Sequence, residues 1–243
     1  MGEISLSLVI PAYNEERRIG ETLEEVSKFL DGQDYPSEVI VVDDGSSDAT
    51  VEIAQKAAAG RDNFRVLKNG VNRGKGFSVK SGMLDARNDI VLFSDADLST
   101  PIEEAARCIR GIGEGFDVVI GSRAMKDSNI VVYQPRHRRL MGKVFNLFVR
   151  ALAVRGISDT QCGFKAFTRR AARRIFSAVL VERFAFDVEA LFLARKFGYK
   201  ILEMPVTWED STLTRVSALR DSTSMFKALF TIRLNSLRGL YNN

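Results

Sequence analysis

The sequence predicts an α/β domain built on a mostly parallel sheet with helices on its faces. Two observations carry this. Short β-branched runs alternate with helix-period stretches through the first half of the chain. Those runs are apolar on both sides of the strand period, as strands buried on both faces are. The expected strands are Leu6–Ile10, Val39–Val42, Phe64–Leu67, Ile90–Phe93 and Val118–Ile120. Between them lie helical stretches at Glu15–Leu30, Asp48–Ala59, Gly76–Arg87 and Pro101–Ile112. The first carries Ile19, Leu23, Val26 and Leu30 at helix spacing. Sheets of this kind bind ligands outside the carboxyl ends of their strands.

The rhythm changes after Gly121. Lys126–Arg139 is polar and reads as a loop. Leu140–Val154 reads as a helix with Leu140, Val144, Leu147, Phe148 and Ala151 on one side, and Gly156–Asp159 reads as a turn. Cys162–Thr168 and Lys200–Val206 read as strands, Arg169–Val179 and Phe186–Phe197 as helices. Ser217–Leu240 reads as a basic amphipathic helix or helix pair. No internal repeat or linker divides the 243 residues, which fit one domain.

Apolar residues make up 45% and charged residues 27%, as in ordinary globular chains, so extended disorder is excluded. The net charge of +4 is small but uneven. Bases crowd the second half, among them Arg136, Arg138, Arg139, Lys143, Arg150, Lys165, Arg169 and Arg170. That asymmetry points to an anionic partner: phosphate, anionic lipid or nucleic acid. Nucleic acid fits poorly, because the basic half lacks interleaved aromatics and any helix-turn-helix or OB pattern. Cys108 and Cys162 lie far apart without metal spacing and read as ordinary reduced thiols. Met1–Ser7 does not have the form of a signal peptide. No apolar run approaches the roughly 20 residues of a spanning helix. The expected location is cytoplasmic, peripheral on a membrane surface or held there by a partner subunit. The lone His137 is given no role, and Trp208 reads as a packing residue.

Chemistry concentrates at strand ends. The first strand runs into Pro11-Ala12-Tyr13-Asn14-Glu15, the second into Asp43-Asp44-Gly45-Ser46-Ser47-Asp48. Carboxylates there accept hydrogen bonds from a base N–H or ribose hydroxyls, and Tyr13 offers an aromatic face. Asp48 reads as a helix cap and Asn14 as a cap for the first helix. Asp43 and Asp44 instead need partners, as acids at a buried edge do. The fourth strand ends in Ser94-Asp95-Ala96-Asp97-Leu98. Two carboxylates one residue apart suit Mg²⁺ or Mn²⁺, which take one or two carboxylates together with substrate phosphates. Asn72-Arg73-Gly74-Lys75-Gly76 opens a helix and suits phosphate, but it has neither P-loop spacing nor GxGxxG form.

Taken in order, PAYNE, VVDDGSSD, NRGKG, SDADLS and GSR resemble glycosyltransferase family 2. Asp159–Thr168 (DTQCGFKAFT) and Glu182–Glu189 (ERFAFDVE) are similar to the polyprenyl-phosphate branch, in particular the dolichyl-phosphate β-glucosyltransferases. The resemblance spans about Ser5 to Leu240. It implies a GT-A, Rossmann-like fold in a single domain over 1–243, with a nucleotide-sugar half (1–123) and an acceptor half (124–243). It also implies a metal-dependent inverting transfer of a hexose, glucose from UDP-glucose, onto a lipid phosphate. The alternatives are mannosyl transfer from GDP-mannose and a sugar-nucleotide-binding module without turnover.

By position, the resemblance puts Pro11, Tyr13, Glu15 and Asp43 or Asp44 at the nucleoside, with Arg73, Gly74 and Lys75 nearby. It puts Asp95 and Asp97 at metal and donor sugar. Arg123 would bind phosphate, and the basic run of Arg136, Arg138 and Arg139 would serve the acceptor. Asp159, Gln161 and Lys165 would border the reaction centre, flanked by Asp187 and Glu189. Ser99 stands where some relatives carry a metal-binding Gln. An ionised phosphate acceptor needs no general base, so Asp159 is expected to orient Lys165.

Overall fold

The computed structural model describes residues 4–132, 146–149, 153–154, 156–209 and 218–242, the side chains of 218–224 excepted. The chain runs β1 (Leu6–Ala12), α1 (Ile19–Asp31), β2 (Ser37–Asp43), α2 (Thr50–Ala58), β3 (Phe64–Lys68), α3 (Lys75–Asp85) and β4 (Ile90–Ser94). A 3₁₀ turn (Ile102–Glu104) leads into α4 (Ala105–Gly113), β5 (Val118–Ser122) and β6 (Asn129–Val132). Then come β7 (Phe164–Thr168), α5 (Arg169–Ala178), α6 (Phe186–Lys196), β8 (Ile201–Pro205), β9 (Thr207–Glu209) and α7 (Ala218–Leu237).

Seven strands form one sheet in the order β3-β2-β1-β4-β7-β5-β8. All neighbours are parallel except β7, which runs antiparallel between β4 and β5. This one reversal decides where the second half of the chain contributes. Phe164 pairs with Ser94 and Lys165 with Phe93, so the start of β7 meets the carboxyl end of β4. The residues just before β7 therefore share an edge with the acids that follow β4.

Each strand of this sheet feeds two cores. In β1, Leu6, Leu8 and Ile10 join Leu23 and Val26 of α1 and Cys108 of α4. Val9 points the other way, to Val79 and Met83 of α3, Ile175 of α5 and Leu191 of α6. The apolar runs read from the sequence follow from this double burial. Both cysteines are buried and unpaired, and burial raises the Cys162 thiol to about 11.

Some boundaries differ from the sequence expectation. Helix α1 starts at Ile19, not Glu15, because Asn14 takes φ 55° and its carboxamide oxygen accepts the Ser47 N–H at 2.8 Å. Asn14 therefore fastens a loop and does not cap α1. Asp48 is not the N-cap of α2, which is Ala49, but from one residue earlier it accepts the Thr50 N–H at 3.0 Å. The Lys126–Arg139 stretch is not all loop: β6 pairs with β9 in a separate two-stranded sheet. Of the expected Leu140–Val154 helix, 146–149 is described as helical, with Val149 buried while Leu147 and Phe148 are exposed. The last segment is a single helix to Leu237.

Helix α3 lies unusually close to the sheet at Gly82. A Cβ there would sit 2.4 Å from Val9 Cγ1 and 3.0 Å from Val42 Cγ2. Gly82→Val is expected to lower unfolding free energy by about 1–3 kcal/mol through overpacking, measured by denaturant titration. An unchanged midpoint would contradict the close α3–β1 contact.

Candidate active site

The β1 and β2 ends form two loops locked together. Asp43 turns back on its own loop, accepting the Gly45 N–H at 3.1 Å and the Ser46 N–H at 3.2 Å. Asp44 reaches the next loop. Its Oδ1 accepts from Asn69 Nδ2 at 2.9 Å and the Arg73 N–H at 3.0 Å, and its Oδ2 accepts the Gly74 N–H at 2.7 Å. The partners these buried acids require are thus backbone amides of the NRGKG loop and of their own turn. Gly45, at φ 77°, permits the stacking: a Cβ would lie 2.7 Å from the Val71 carbonyl carbon. Pro11 is buried at the end of β1, while Tyr13 stands exposed beside it.

The NRGKG loop is gripped from its other side by residues 181–183. A Cβ on Gly74 would lie 2.7 Å from Glu182 O, and one on Gly76 2.7 Å from Val181 O and from Phe186 Cβ. The Phe77 N–H donates to Glu182 O at 3.0 Å. Arg73 pairs with Glu182 and stacks its guanidinium on the Phe77 ring at 3.4 Å. Held this way, Lys75 points its ammonium at Asp95 Oδ1. Burial works against that charge, but Asp95, Asp187 and Asp97 outweigh it and hold the Lys75 pKa above its ordinary value.

The turn after β4 is fixed by Leu98 at φ 45° and by the Ser99 N–H donating to Asp97 Oδ1 at 3.1 Å. Asp97 also lies 3.6 Å from Arg18, whose guanidinium is anchored on Glu15. Glu15 thus reaches the aspartates through Arg18. Gly163 makes the space Asp95 occupies: a Cβ there would fall 2.1 Å from Asp95 Oδ2. The antiparallel β7 is what brings this glycine under the β4 acids.

Two buried ion pairs complete the edge. Lys165 is fully buried, and its ammonium donates to Asp187 Oδ1 at 2.5 Å and also to the Cys162 carbonyl. Asp159 is gripped by Arg123, with Nε to Oδ2 at 2.7 Å, Nη2 to Oδ1 at 2.9 Å and the Arg123 N–H to Oδ2 at 3.0 Å. Burial alone would raise the Asp159 pKa, but the Arg123 charge and these hydrogen bonds bring it down to about 2. Trp208 lies under the Arg123 guanidinium at 5.3 Å. Glu203 of β8 secures the loop by accepting the Ser158 and Asp159 N–H groups.

The structure gathers Glu15, Lys75, Asp95, Asp97, Lys165 and Asp187 in one network of alternating charge. It does not pair Asp159 with Lys165, as the sequence suggested. Asp159 engages Arg123, and Lys165 engages Asp187. Arg123 is therefore committed to a carboxylate rather than held open for phosphate. Glu189 lies outside this network, accepting the Leu180 and Val181 N–H groups. Arg136, Arg138 and Arg139 lie outside the described residues. Arg18, Gly163 and Glu203 carry no local sequence signal for their roles, since each acts on a partner distant in the chain.

The Asp159–Arg123 pair makes a stability prediction. A carboxyl depressed in the folded state stabilises above its unfolded pKa near about 4, and the gain is lost as pH falls through about 2. The contribution at neutral pH is about 2 kcal/mol on that basis. Asp159→Asn should be less stable than the parent at pH 7, with the gap closing between about pH 4 and pH 2. A gap independent of pH in urea titrations would contradict the pairing.

Comparison with known proteins identifies the family and the fold. The family Glycosyl transferase family 2 matches residues 7–176. A dolichyl-phosphate beta-glucosyltransferase of Dictyostelium discoideum is 38% identical, over 98% of this chain and 76% of its own length. One of Homo sapiens is 36% identical, over 97% of this chain and 77% of its own. Among solved structures, glucosyl-3-phosphoglycerate synthase from Mycobacterium tuberculosis, in complex with Mn²⁺, UDP and phosphoglyceric acid, superposes with a TM-score of 0.68. It is 22% identical and covers 96% of this chain and 78% of that one. Mannosyl-3-phosphoglycerate synthase from Rubrobacter xylanophilus gives 0.69 at 23% identity, covering 97% of this chain and 74% of that one. The fold is that of these GT-A transferases, and the chain is a glycosyltransferase belonging to glycosyl transferase family 2.

Proposed function

We propose that this chain transfers glucose from UDP-glucose to dolichyl phosphate or a similar polyprenyl phosphate, with inversion. The convergence of Lys75, Asp95, Asp97, Lys165 and Asp187 at one sheet edge carries this reading. The dolichyl-phosphate beta-glucosyltransferases similar over nearly the whole chain support it. Pro11, Tyr13 and the Asp43–Ser46 turn form the nucleoside wall. Asp44 serves it indirectly, by shaping the NRGKG loop. Lys75 faces the diphosphate side.

Asp95 and Asp97 fit Mg²⁺ or Mn²⁺. Their side chains keep 34% and 20% exposure, and Gly163 leaves Asp95 room. Among the described residues no group of three His, Cys, Asp or Glu is arranged as a metal cage. Asp95 and Asp97 would hold the cation, with substrate phosphates as further ligands, the pattern Mg²⁺ favours. When bound, the cation would offset charge on the departing nucleoside diphosphate. Lys75 supplies a second positive charge there.

The acceptor brings its own nucleophile. A phosphate monoester has a second pKa of about 6 and is ionised at neutral pH. A carboxyl at about 2 is too weak a base to serve well at neutral pH, and Asp159 instead holds Arg123 and the 158–161 loop in place. The buried Lys165–Asp187 pair fixes the floor beneath the donor. Asp159 and Arg123 border the side where the acceptor enters.

Among the described residues no helix is long and apolar enough to cross a membrane. On α7, Phe230, Leu234 and Leu237 are nonetheless exposed, with Lys227 and Arg233 on the same helix and Arg238 directly after it. Phe148 meets Phe226 edge-on at 5.1 Å and extends this apolar surface. An apolar stripe rimmed by bases suits an anionic bilayer surface, where a lipid phosphate is presented.

Three outcomes test the reading. In a panel of UDP-glucose, UDP-galactose and GDP-mannose with a polyprenyl phosphate, turnover should need UDP-glucose and Mn²⁺ or Mg²⁺. Preference for GDP-mannose would overturn the donor assignment. Asp97→Asn should cut turnover by at least about a hundredfold, more than loss of an outer-shell partner does; unchanged turnover would remove the metal role. The rate should fall below about pH 6 as the acceptor phosphate gains its second proton, and Asp159→Asn should leave that limb in place. A limb that vanishes with Asp159 would make it the base.

A further inference from the structure

Glu189 is a fully buried carboxylate outside the charge network at the sheet edge. Its two oxygens look in different directions. Oε2 accepts the Leu180 N–H at 2.9 Å and the Val181 N–H at 2.7 Å, the start of the strap that grips the NRGKG loop. Oε1 accepts the hydroxyl of Tyr241 at 2.5 Å. Tyr241 is itself buried, packs on Phe192 of α6 and follows the end of α7. Burial pushes the Glu189 pKa up, while Tyr241 and the two backbone amides favour the ionised form.

The chain of contacts continues without a gap. The strap's Val181 and Glu182 carbonyls lie against Gly76 and Gly74, Glu182 O holds the Phe77 N–H, and the Glu182 carboxylate holds Arg73. Lys80 donates to Val179 O at 2.7 Å, just before the strap, and steadies the same end that Glu189 holds. The loop so held carries Lys75 to Asp95. Neither Gly74 nor Gly76 leaves slack, since a Cβ at either would already clash with the strap. A strap displaced by a few tenths of an ångström therefore displaces the loop. We propose that Glu189 and Tyr241 are positioning residues for the nucleotide donor, acting through the 180–182 strap on the 72–76 loop. The proposal rests on the reading of that loop as part of the donor site. It also makes the seating of α7, which Tyr241 follows, a determinant of donor affinity.

Tyr241→Phe keeps the ring and removes the hydroxyl that anchors Oε1. Glu189→Gln keeps the shape and weakens the hold on both amides. UDP affinity of the full chain, measured by calorimetry with Mn²⁺, should fall about three- to tenfold for each, the worth of one buried hydrogen bond. The double variant should be little worse than Glu189→Gln, because both act through one tie. In turnover assays the KM for UDP-glucose should rise while that for the lipid phosphate stays constant. Thermal melts report folding separately, and a purely structural role would lower them while leaving UDP affinity of the folded fraction intact. That result, or additive losses, would overturn the proposal. A parent chain that does not bind UDP at all would instead sink the donor reading, and the positioning role with it.

Discussion

Lys165 carries an ammonium into a place with no water contact, where a charge persists only beside an opposite one. Asp187 provides that charge at 2.5 Å, and neither residue could be removed alone without leaving its partner buried and unpaired. Around this pair the rest of the edge follows the same rule. Asp95 faces Lys75, Asp97 faces Arg18, and Asp159 faces Arg123. Carboxylates crowded at a sheet edge would repel one another in a medium of low effective dielectric. Interleaved cations make the crowding tolerable and leave the β4 acids partly open to solvent.

The arrangement depends on one topological choice. Were β7 parallel to its neighbours, Gly163 and Lys165 would emerge at the opposite end of the sheet from Asp95. Running antiparallel, β7 places them under the β4 acids and sets Lys165 beside both Phe93 and Ile120. The same reversal puts the 158–162 loop next to the end of β5, where Arg123 meets Asp159. Charged groups from both halves of the chain thus share one edge of the sheet.

Much of this was legible in the sequence, for a physical reason. Strands buried on both faces are apolar throughout, so Leu6–Ile10 or Val39–Val42 declare themselves locally. Acids that end such strands or directly follow them, as at Asp43 or Asp95, must lie at the carboxyl edge of the sheet. The pairings were not legible. Nothing near Asp159 in sequence selects Arg123 over Lys165, because the choice is made by β7 reversing between β4 and β5. Strand β6 escaped for a similar reason: its partner β9 lies far along the chain, and its four residues are mostly exposed within a polar stretch. Asn14 misled through its left-handed conformation, which turned an apparent helix cap into a loop clasp.

Anomalous diffraction from crystals grown with Mn²⁺ and UDP tests the central claim most directly, since it locates the cation independently of turnover. The account predicts a manganese peak between the Asp95 and Asp97 carboxylates, with the diphosphate on the Lys75 side and uridine against Pro11 and Tyr13. A peak elsewhere, or UDP seated away from the β4 edge, would contradict it.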